Sequence, residues 1–181
     1  MLEAMREQGW IDLYYGDESR VAVEPCVPYA WQFKEEEVFM PSARGHGLNC
    51  FALLSRANGC RFATTQSAID SNFIVEQLER LAFDLERMTV VVLDNAPAHV
   101  AQGVQERRRF WQQRGLFVFY LPPYAPHLNI VEVLWRKLKY EWLRPQDYFE
   151  TQTLFYQVRL ALAAVGTLLH IHFAPFRLAL N

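Results

Sequence analysis

The chain has 181 residues, of which 51% are hydrophobic and 14% aromatic, enough for one well-packed domain and too apolar for a disordered protein. Its net charge of −2 argues weakly against a nucleic-acid partner. No apolar stretch approaches the ~18 residues of a membrane span, and residues 1–7 lack the apolar core of a signal peptide. Cys26, Cys50 and Cys60 are odd in number and have no CxxC spacing, so reduced thiols are expected. These features predict a cytoplasmic protein with no membrane partner.

The first half of the chain alternates strand-like and helical patterns. Trp10–Gly16 is rich in aromatic and branched residues and predicts a strand that runs into Asp17. An Asn-Gly pair between two apolar runs predicts a hairpin. The other expected elements are the end of a helix over 2–8, an irregular stretch over 24–47 with a short strand near Val38–Met40, hairpin strands at Leu48–Leu54 and Arg61–Thr65, and a helix over Ser67–Leu85.

The second half predicts two buried strands and three helices. Met88–Leu93 is rich in branched residues, as expected of a strand buried on both faces, and Pro97 suits the start of a helix that reaches about Gln113. A hairpin followed by α/β crossovers predicts an α/β fold with a mixed sheet and helices on its faces. The remaining elements are a strand at Phe117–Leu121, a rigid loop over 122–126, and helices over about Asn129–Trp142 and Thr151–Val165.

The charges are unevenly distributed along the chain. Residues 1–97 hold eight Lys and Arg against fifteen Asp and Glu, whereas residues 98–148 hold eight against four. A basic patch on an acidic body is compatible with binding a phosphate backbone. Two solvated helix faces would give the same pattern, so both interpretations stay open. The basic residues are Arg107, Arg108, Arg109, Arg114, Arg136, Lys137, Lys139 and Arg144.

Two aspartates are candidates for a site at strand ends, where α/β folds gather their ligands. Asp94 directly follows a buried strand, although it or Asn95 could instead cap the next helix. Asp17 is less clearly marked, because Asp12 lies in the same run and Glu18 is adjacent. A surface acid leaving an edge strand is the alternative interpretation of Asp17.

Glu132 lies in the first turn of the helix over about Asn129–Trp142, beside an apolar stripe. With Arg136 and Lys139 on its own side, it could present a carboxylate to a metal and two cations to a phosphate strand. Two structural alternatives remain open. Asn129-x-x-Glu132 resembles a capping box, and Glu132 could pair with Arg136 one turn on.

Three carboxylates brought together repel one another unless a cation holds them, so Asp17, Asp94 and Glu132 predict a divalent-metal site for phosphoryl transfer. His99 follows Asp94 by five residues and could contact a phosphate or orient a ligand, although a surface histidine is the commoner case. His170-x-His172 has no third ligand in view for zinc.

The three acidic segments together resemble the catalytic core of DDE transposases, specifically bacterial insertion-sequence transposases of the mariner superfamily. The segments are Tyr15–Ser19, Val92–His99 and Leu121–Glu132. The third is the most specific, with its Pro-Pro-Tyr-x-Pro-x-Leu-Asn lead-in and Trp135 after the glutamate. The resemblance covers about residues 10–145, and the 37 residues between Asp94 and Glu132 are similar to the family spacing.

The resemblance implies an RNase H-like fold with a mixed five-stranded sheet. It also implies that Asp17, Asp94 and Glu132 are catalytic and hold two Mg²⁺ ions, with Mn²⁺ as a substitute. Such a pair of ions clamps the attacking and leaving oxygens of an in-line displacement at phosphorus. The expected activity is cleavage at transposon ends and strand transfer into target DNA, with a homodimer on DNA and a nucleoid location when bound. Candidate DNA-binding residues are Arg107, Arg108, Arg136 and Lys139, and candidate accessory residues are Asn95, His99 and Asn129.

Two features depart from the family pattern. Members usually carry an N-terminal helix-turn-helix region, whereas only a helical stub precedes the first catalytic strand here. We therefore expect a residual helix over 1–9, a catalytic domain over 10–145 and a helical extension over 146–181. Such a chain is a catalytic domain alone, a truncated copy or one product of a split reading frame. Ile130 stands where proline is common, and little effect on Glu132 is expected.

Two rival functions remain open at the level of sequence. A catalytically incompetent, truncated transposase would bind DNA or a full-length transposase as a regulator. Another RNase H-like nuclease would act on RNA–DNA hybrids or Holliday junctions, although the third motif argues against it. Metal-dependent nicking separates the enzyme from the regulator, and a panel of substrates separates the two enzymes.

Overall fold

The structure is a computed structural model that describes residues 1–24, 47–123 and 125–174. The strand expected near Val38–Met40 lies outside these residues, as does Cys26, while Cys50 and Cys60 are free thiols. The described helices include none with both the length and the apolar character to cross a bilayer. The helices are α1 (Leu2–Glu7), α2 (Ser71–Phe83), α3 (Pro97–Val100), α4 (Gln102–Gln113), α5 (Val131–Lys137) and α6 (Thr151–Ala164). The strands are β1 (Asp12–Ala22), β2 (Gly47–Leu54), β3 (Cys60–Thr65), β4 (Thr89–Leu93) and β5 (Leu116–Tyr120).

The five strands form one mixed sheet in the order β3-β2-β1-β4-β5. The hairpin of β2 and β3 is antiparallel, with Asn58 in its turn at φ 66°, a conformation that asparagine tolerates. The strand β1 pairs antiparallel with β2 and parallel with β4, and β4 pairs parallel with β5. The predicted mixed sheet and order of elements are confirmed. The carboxyl ends of β1, β4 and β5 point to the same end of the sheet.

The central strand β1 is longer than predicted. Its pairing with β4 ends at Tyr15, opposite Val92, but its pairing with β2 continues to Ala22. Asp17 therefore lies within a strand, just beyond the point where β4 stops. The alternative of an acid leaving an edge strand is wrong, because β1 has a neighbour on each side.

Both faces of the sheet are covered, as predicted. On one face α2 and α4 pack on alternate residues of the sheet and form a core that contains the fully buried Trp111. On the other face α5 and α6 pack on a second core, which contains Tyr148. This division follows from the period-2 alternation of side chains along each strand.

Three predicted helices differ in extent from those observed. The helix expected over Ser67–Leu85 begins only at Ser71, because the Asp70 carboxylate accepts from the Phe73 N–H at 2.9 Å and caps it. The helix expected from Pro97 to Gln113 is two helices, since Ala101 has an extended ψ of 155°. The helix expected over Asn129–Trp142 is α-helical only over Val131–Lys137, and its last turn, Leu138–Trp142, is π-helical.

Candidate active site

Asp17 is held by the helix that carries Glu132. Its side chain is buried, with 9% exposure, and its Oδ2 accepts a hydrogen bond from the Trp135 indole Nε1 at 3.0 Å. Trp135 follows Glu132 by three residues, so the two side chains project from the same side of α5. The sequence marked Trp135 only as part of a motif, and its contact with Asp17 was not predicted.

Gly16, directly before Asp17, lies in a crowded part of the sheet. A Cβ at this position would lie 2.5 Å from Leu93 Cδ2 and 2.9 Å from Leu53 Cδ2, so a larger residue would force these two leucine side chains to move. The Gly16 carbonyl accepts from Asn129 Nδ2 at 3.0 Å. Asn129, just before α5, therefore ties the third motif to the first.

Asp94 begins the loop after β4, as predicted. Its Oδ1 accepts from the Ala96 N–H at 3.0 Å and lies 2.7 Å from His99 Nδ1. The next residue, Asn95, donates from Nδ2 to the Leu121 carbonyl at 2.7 Å and fastens this loop to the end of β5. Neither side chain caps α3, which has no side-chain cap.

His99 is buried, with 0% exposure, so the alternative of a surface histidine is wrong. Its Nε2 lies 2.9 Å from Glu18 Oε2, although the two groups are not aligned as a hydrogen bond. Burial alone would lower the pKa of His99, but Glu18 and Asp94 outweigh it and raise the pKa. The His99 ring therefore lies between two carboxylates. Glu18 belongs to the site through His99, a role that its position beside Asp17 could not reveal.

Glu132 is exposed in the first turn of α5. Within the described residues it forms neither the expected capping box nor an ion pair with Arg136. Asn129 instead uses its Oδ1 to accept from the Val131 N–H at 3.2 Å. The carboxylate of Glu132 thus has no structural partner in that part of the chain.

The acidic side chains lie within electrostatic reach of one another. The pKa of Asp17 is raised to about 7, first by burial and then by the charges of Glu132, Glu18 and Asp94, while the Trp135 hydrogen bond lowers it. Asp12, the alternative to Asp17, lies at the opposite end of β1 beside Arg87.

The candidate ligands Asp17, Asp94 and Glu132 would offer a cation an all-oxygen set. Such a set suits Mg²⁺ or Mn²⁺, and a cation would relieve the repulsion that raises the pKa of Asp17. As the described side chains are arranged, no three His, Cys, Asp or Glu residues are close enough to hold one ion. Binding would require a change of side-chain rotamers, which the exposed carboxylate of Glu132 can make.

The candidate DNA-binding residues fall into two groups: two arginines on α4 that contact other protein groups, and two basic residues that form no ion pair within the described part of the chain. Arg107 pairs with Glu79 Oε1 at 2.6 Å and lies over the Phe110 ring. Arg108 donates to the Val118 carbonyl at 3.1 Å. Arg136 and Lys139 lie on the helix of Glu132 and form no ion pair with the described residues. All four assignments stay predictions.

Residues 12–154 match the family model described as DDE superfamily endonuclease. The chain belongs to this family. The matched region contains all three acidic segments and all five strands. No curated protein matches the chain.

Solved structures share the fold at low sequence identity. The simian T-cell lymphotropic virus intasome in complex with PP2A regulatory subunit B56 gamma has a TM-score of 0.60 at 15% identity, over 88% of this chain and 50% of that one. The Mos1 transposase paired-end complex with left transposon end has a TM-score of 0.53 at 15% identity, over 92% of this chain and 59% of that one. The Mos1 mariner paired end complex with Mn has a TM-score of 0.53 at 14% identity, over 93% of this chain and 60% of that one. The fold is therefore that of RNase H-like transposase and integrase cores, and the chain spans about half to three fifths of these relatives.

Proposed function

We propose that the chain is a transposase catalytic domain that cleaves DNA at transposon ends and transfers the strand into target DNA. The observation that carries this proposal is the convergence of Asp17, Asp94 and Glu132, from three distant segments, at one end of the sheet. Membership of the DDE superfamily endonucleases supports it. The relatives that share the fold include a complex with a transposon end, which supports DNA as the partner.

The three carboxylates would hold the metal, for which we propose two Mg²⁺ ions with Mn²⁺ as a substitute. A Mos1 complex that contains Mn supports a divalent cation. When bound, the pair would supply an activated hydroxyl and charge stabilisation for an in-line displacement at phosphorus. The protein then needs no nucleophile of its own, and its role is to place three carboxylates on rigid elements. A homodimer on DNA would allow two transposon ends to be paired.

A plasmid-nicking assay with Mg²⁺ or Mn²⁺ tests the proposal. Asp94→Asn and Glu132→Gln should each lower the nicking rate at least 100-fold, because each removes a charged ligand. Glu106→Gln is the matched control, since Glu106 is an exposed acid on α4 whose partner is Gln102. Full activity in Asp94→Asn would overturn the assignment. A wild-type chain that binds DNA but never nicks it would instead be a regulator.

A further inference from the structure

The two carboxylate oxygens of Asp94 are not equivalent. Oδ1 has two donors, the Ala96 N–H at 3.0 Å and His99 Nδ1 at 2.7 Å. Oδ2 accepts no hydrogen bond from the residues that the structure describes. Because Oδ1 is occupied by hydrogen bonds, Asp94 is arranged to offer a cation one oxygen, Oδ2.

The second of those donors, His99, is held by three strands. Its ring meets the Phe51 ring of β2 edge-on, with centroids 6.2 Å apart. Its Nε2 faces Glu18 of β1 at 2.9 Å, and its backbone carbonyl accepts from the Tyr120 hydroxyl of β5 at 2.8 Å. With 0% exposure, the imidazole has no access to bulk water. Its orientation is therefore imposed by the fold, as catalytic positioning requires.

Glu18 and Asp94 lie against opposite nitrogens of this one imidazole. The two oxygens that face the ring, Asp94 Oδ1 and Glu18 Oε2, are farther apart than two ligands of one ion can be, since a Mg²⁺–oxygen bond is only about 2.1 Å long. Glu18 is therefore linked to Asp94 through the imidazole of His99.

We propose that His99 is a positioning residue for the metal site. It holds Asp94 with Oδ2 directed to the cation. Glu18 in turn acts only by holding His99. This inference rests on the proposed function, because it takes Asp94 as a ligand.

Mn²⁺ affinity of the whole chain, measured by electron paramagnetic resonance, tests the role of His99. The partners that orient a metal ligand typically change metal affinity 10–100-fold when they are removed. His99→Met, similar in length but without a donor, should weaken Mn²⁺ binding about 10-fold or more. His99→Asn keeps an N–H donor at the position of Nδ1 and should recover much of that loss. His127→Met, at an exposed histidine, is the matched control and should leave the affinity unchanged.

Thermal unfolding without metal separates positioning from folding. A merely structural His99 would lower the melting temperature of His99→Met and His99→Asn alike, with the Mn²⁺ affinity of the folded protein unchanged, and that result would overturn the proposal. Loss of affinity in the Met variant with recovery in the Asn variant supports it.

A double-mutant cycle tests the role of Glu18, whose side chain is one third exposed and tolerates substitution better than His99. If Glu18 acts through His99, Glu18→Gln should weaken Mn²⁺ binding in the wild type and have no further effect in His99→Met. Additive losses would make Glu18 a ligand in its own right and would overturn the proposal.

The two proposals fail differently. Saturable Mn²⁺ binding that depends on His99, without any nicking, would sustain the positioning role and overturn the catalytic function. Absence of Mn²⁺ binding in the wild type would overturn both. Normal nicking with Mn²⁺ affinity unaffected by His99→Met would overturn the positioning role alone.

Discussion

Trp135 donates its indole N–H to Asp17 Oδ2 at 3.0 Å, joining residues 118 positions apart in the sequence. The bond locks the helix that carries Glu132 onto the strand that carries Asp17. Because both partners are buried, water cannot replace the bond if it is lost. Two of the three candidate ligands therefore depend on one tryptophan for their relative position.

Trp135→Phe should destabilise the fold more than Trp111→Phe does. Both tryptophans are buried, but the Trp111 Nε1 has no acceptor among the described residues. Each substitution removes a similar volume, so the difference reports the bond to Asp17, about 1–3 kcal/mol for a charged acceptor. Urea unfolding at pH 8 measures it. Equal losses of unfolding free energy in the two variants would show that the Trp135 hydrogen bond contributes nothing to stability.

Asp17 should make the metal-free protein less stable as the pH rises. Its pKa is raised from 3.8 to about 7, first by burial and then by the neighbouring carboxylates. The folded state therefore holds this proton more tightly than the unfolded chain. The stability that protonated Asp17 contributes is complete below pH 3.8 and is lost as the pH rises to about 7.

Asp17→Asn should remove that dependence, since the amide stays neutral and its oxygen can still accept from Trp135. Urea unfolding at pH 5 and pH 8.5 without metal should show a variant more stable than the wild type at the higher pH, by on the order of a few kcal/mol. Added Mn²⁺ should stabilise only the wild type at pH 8.5. Identical pH slopes in both proteins would mean that Asp17 is already ionised in the fold.

A second buried acid should have the opposite pH dependence. Glu3 accepts from Arg56 Nε at 2.7 Å, Arg6 Nε at 2.8 Å and the Tyr15 hydroxyl at 2.8 Å. Burial raises the pKa of Glu3, but the three donors outweigh it and the net pKa is lowered. This contribution to stability is present above pH 4.5 and is lost as the pH falls through the folded pKa.

Glu3→Gln should therefore lower the free energy of unfolding by about 1–3 kcal/mol at pH 7. It should also make that free energy less dependent on pH at acid pH. Glu7→Gln is the control, because Glu7 is exposed on the same helix and has only a 3.3 Å contact with Arg6. Denaturant unfolding between pH 3 and pH 7 makes the comparison. If Glu3→Gln loses as much stability as the wild type between pH 7 and pH 3, the predicted contribution of Glu3 is contradicted.

The order of elements and the three acidic segments were predictable, because hydrophobic periodicity and turn residues are local signals. The site's supporting contacts were not. Gly16 and the polar residues after it suggested the end of a strand, yet pairing with β2 carries β1 on to Ala22. The burial of His99 and the bond from Trp135 to Asp17 depend on which segments the sheet brings together. A single sequence carries no direct signal for such long-range pairings.

DNA binding should depend on Arg136 and Lys139 more than on Arg107 and Arg108, although the sequence predicted all four. The guanidinium groups of Arg107 and Arg108 contact Glu79 and the Val118 carbonyl, so either must break a protein contact to reach a phosphate. Arg136 follows Glu132 by one helical turn and is exposed.

Each phosphate contact that is lost lowers the salt dependence of the binding constant by about 1 in the log–log slope. Arg136→Ala with Lys139→Ala should therefore reduce the slope by about 2, as measured by fluorescence anisotropy on a duplex between 50 and 200 mM salt. Arg107→Ala with Arg108→Ala should reduce it less and should lower the melting temperature instead, because α4 loses its contacts with α2 and β5. If the salt-dependence slope changes more in Arg107→Ala with Arg108→Ala, the DNA lies against α4 and not beside Glu132.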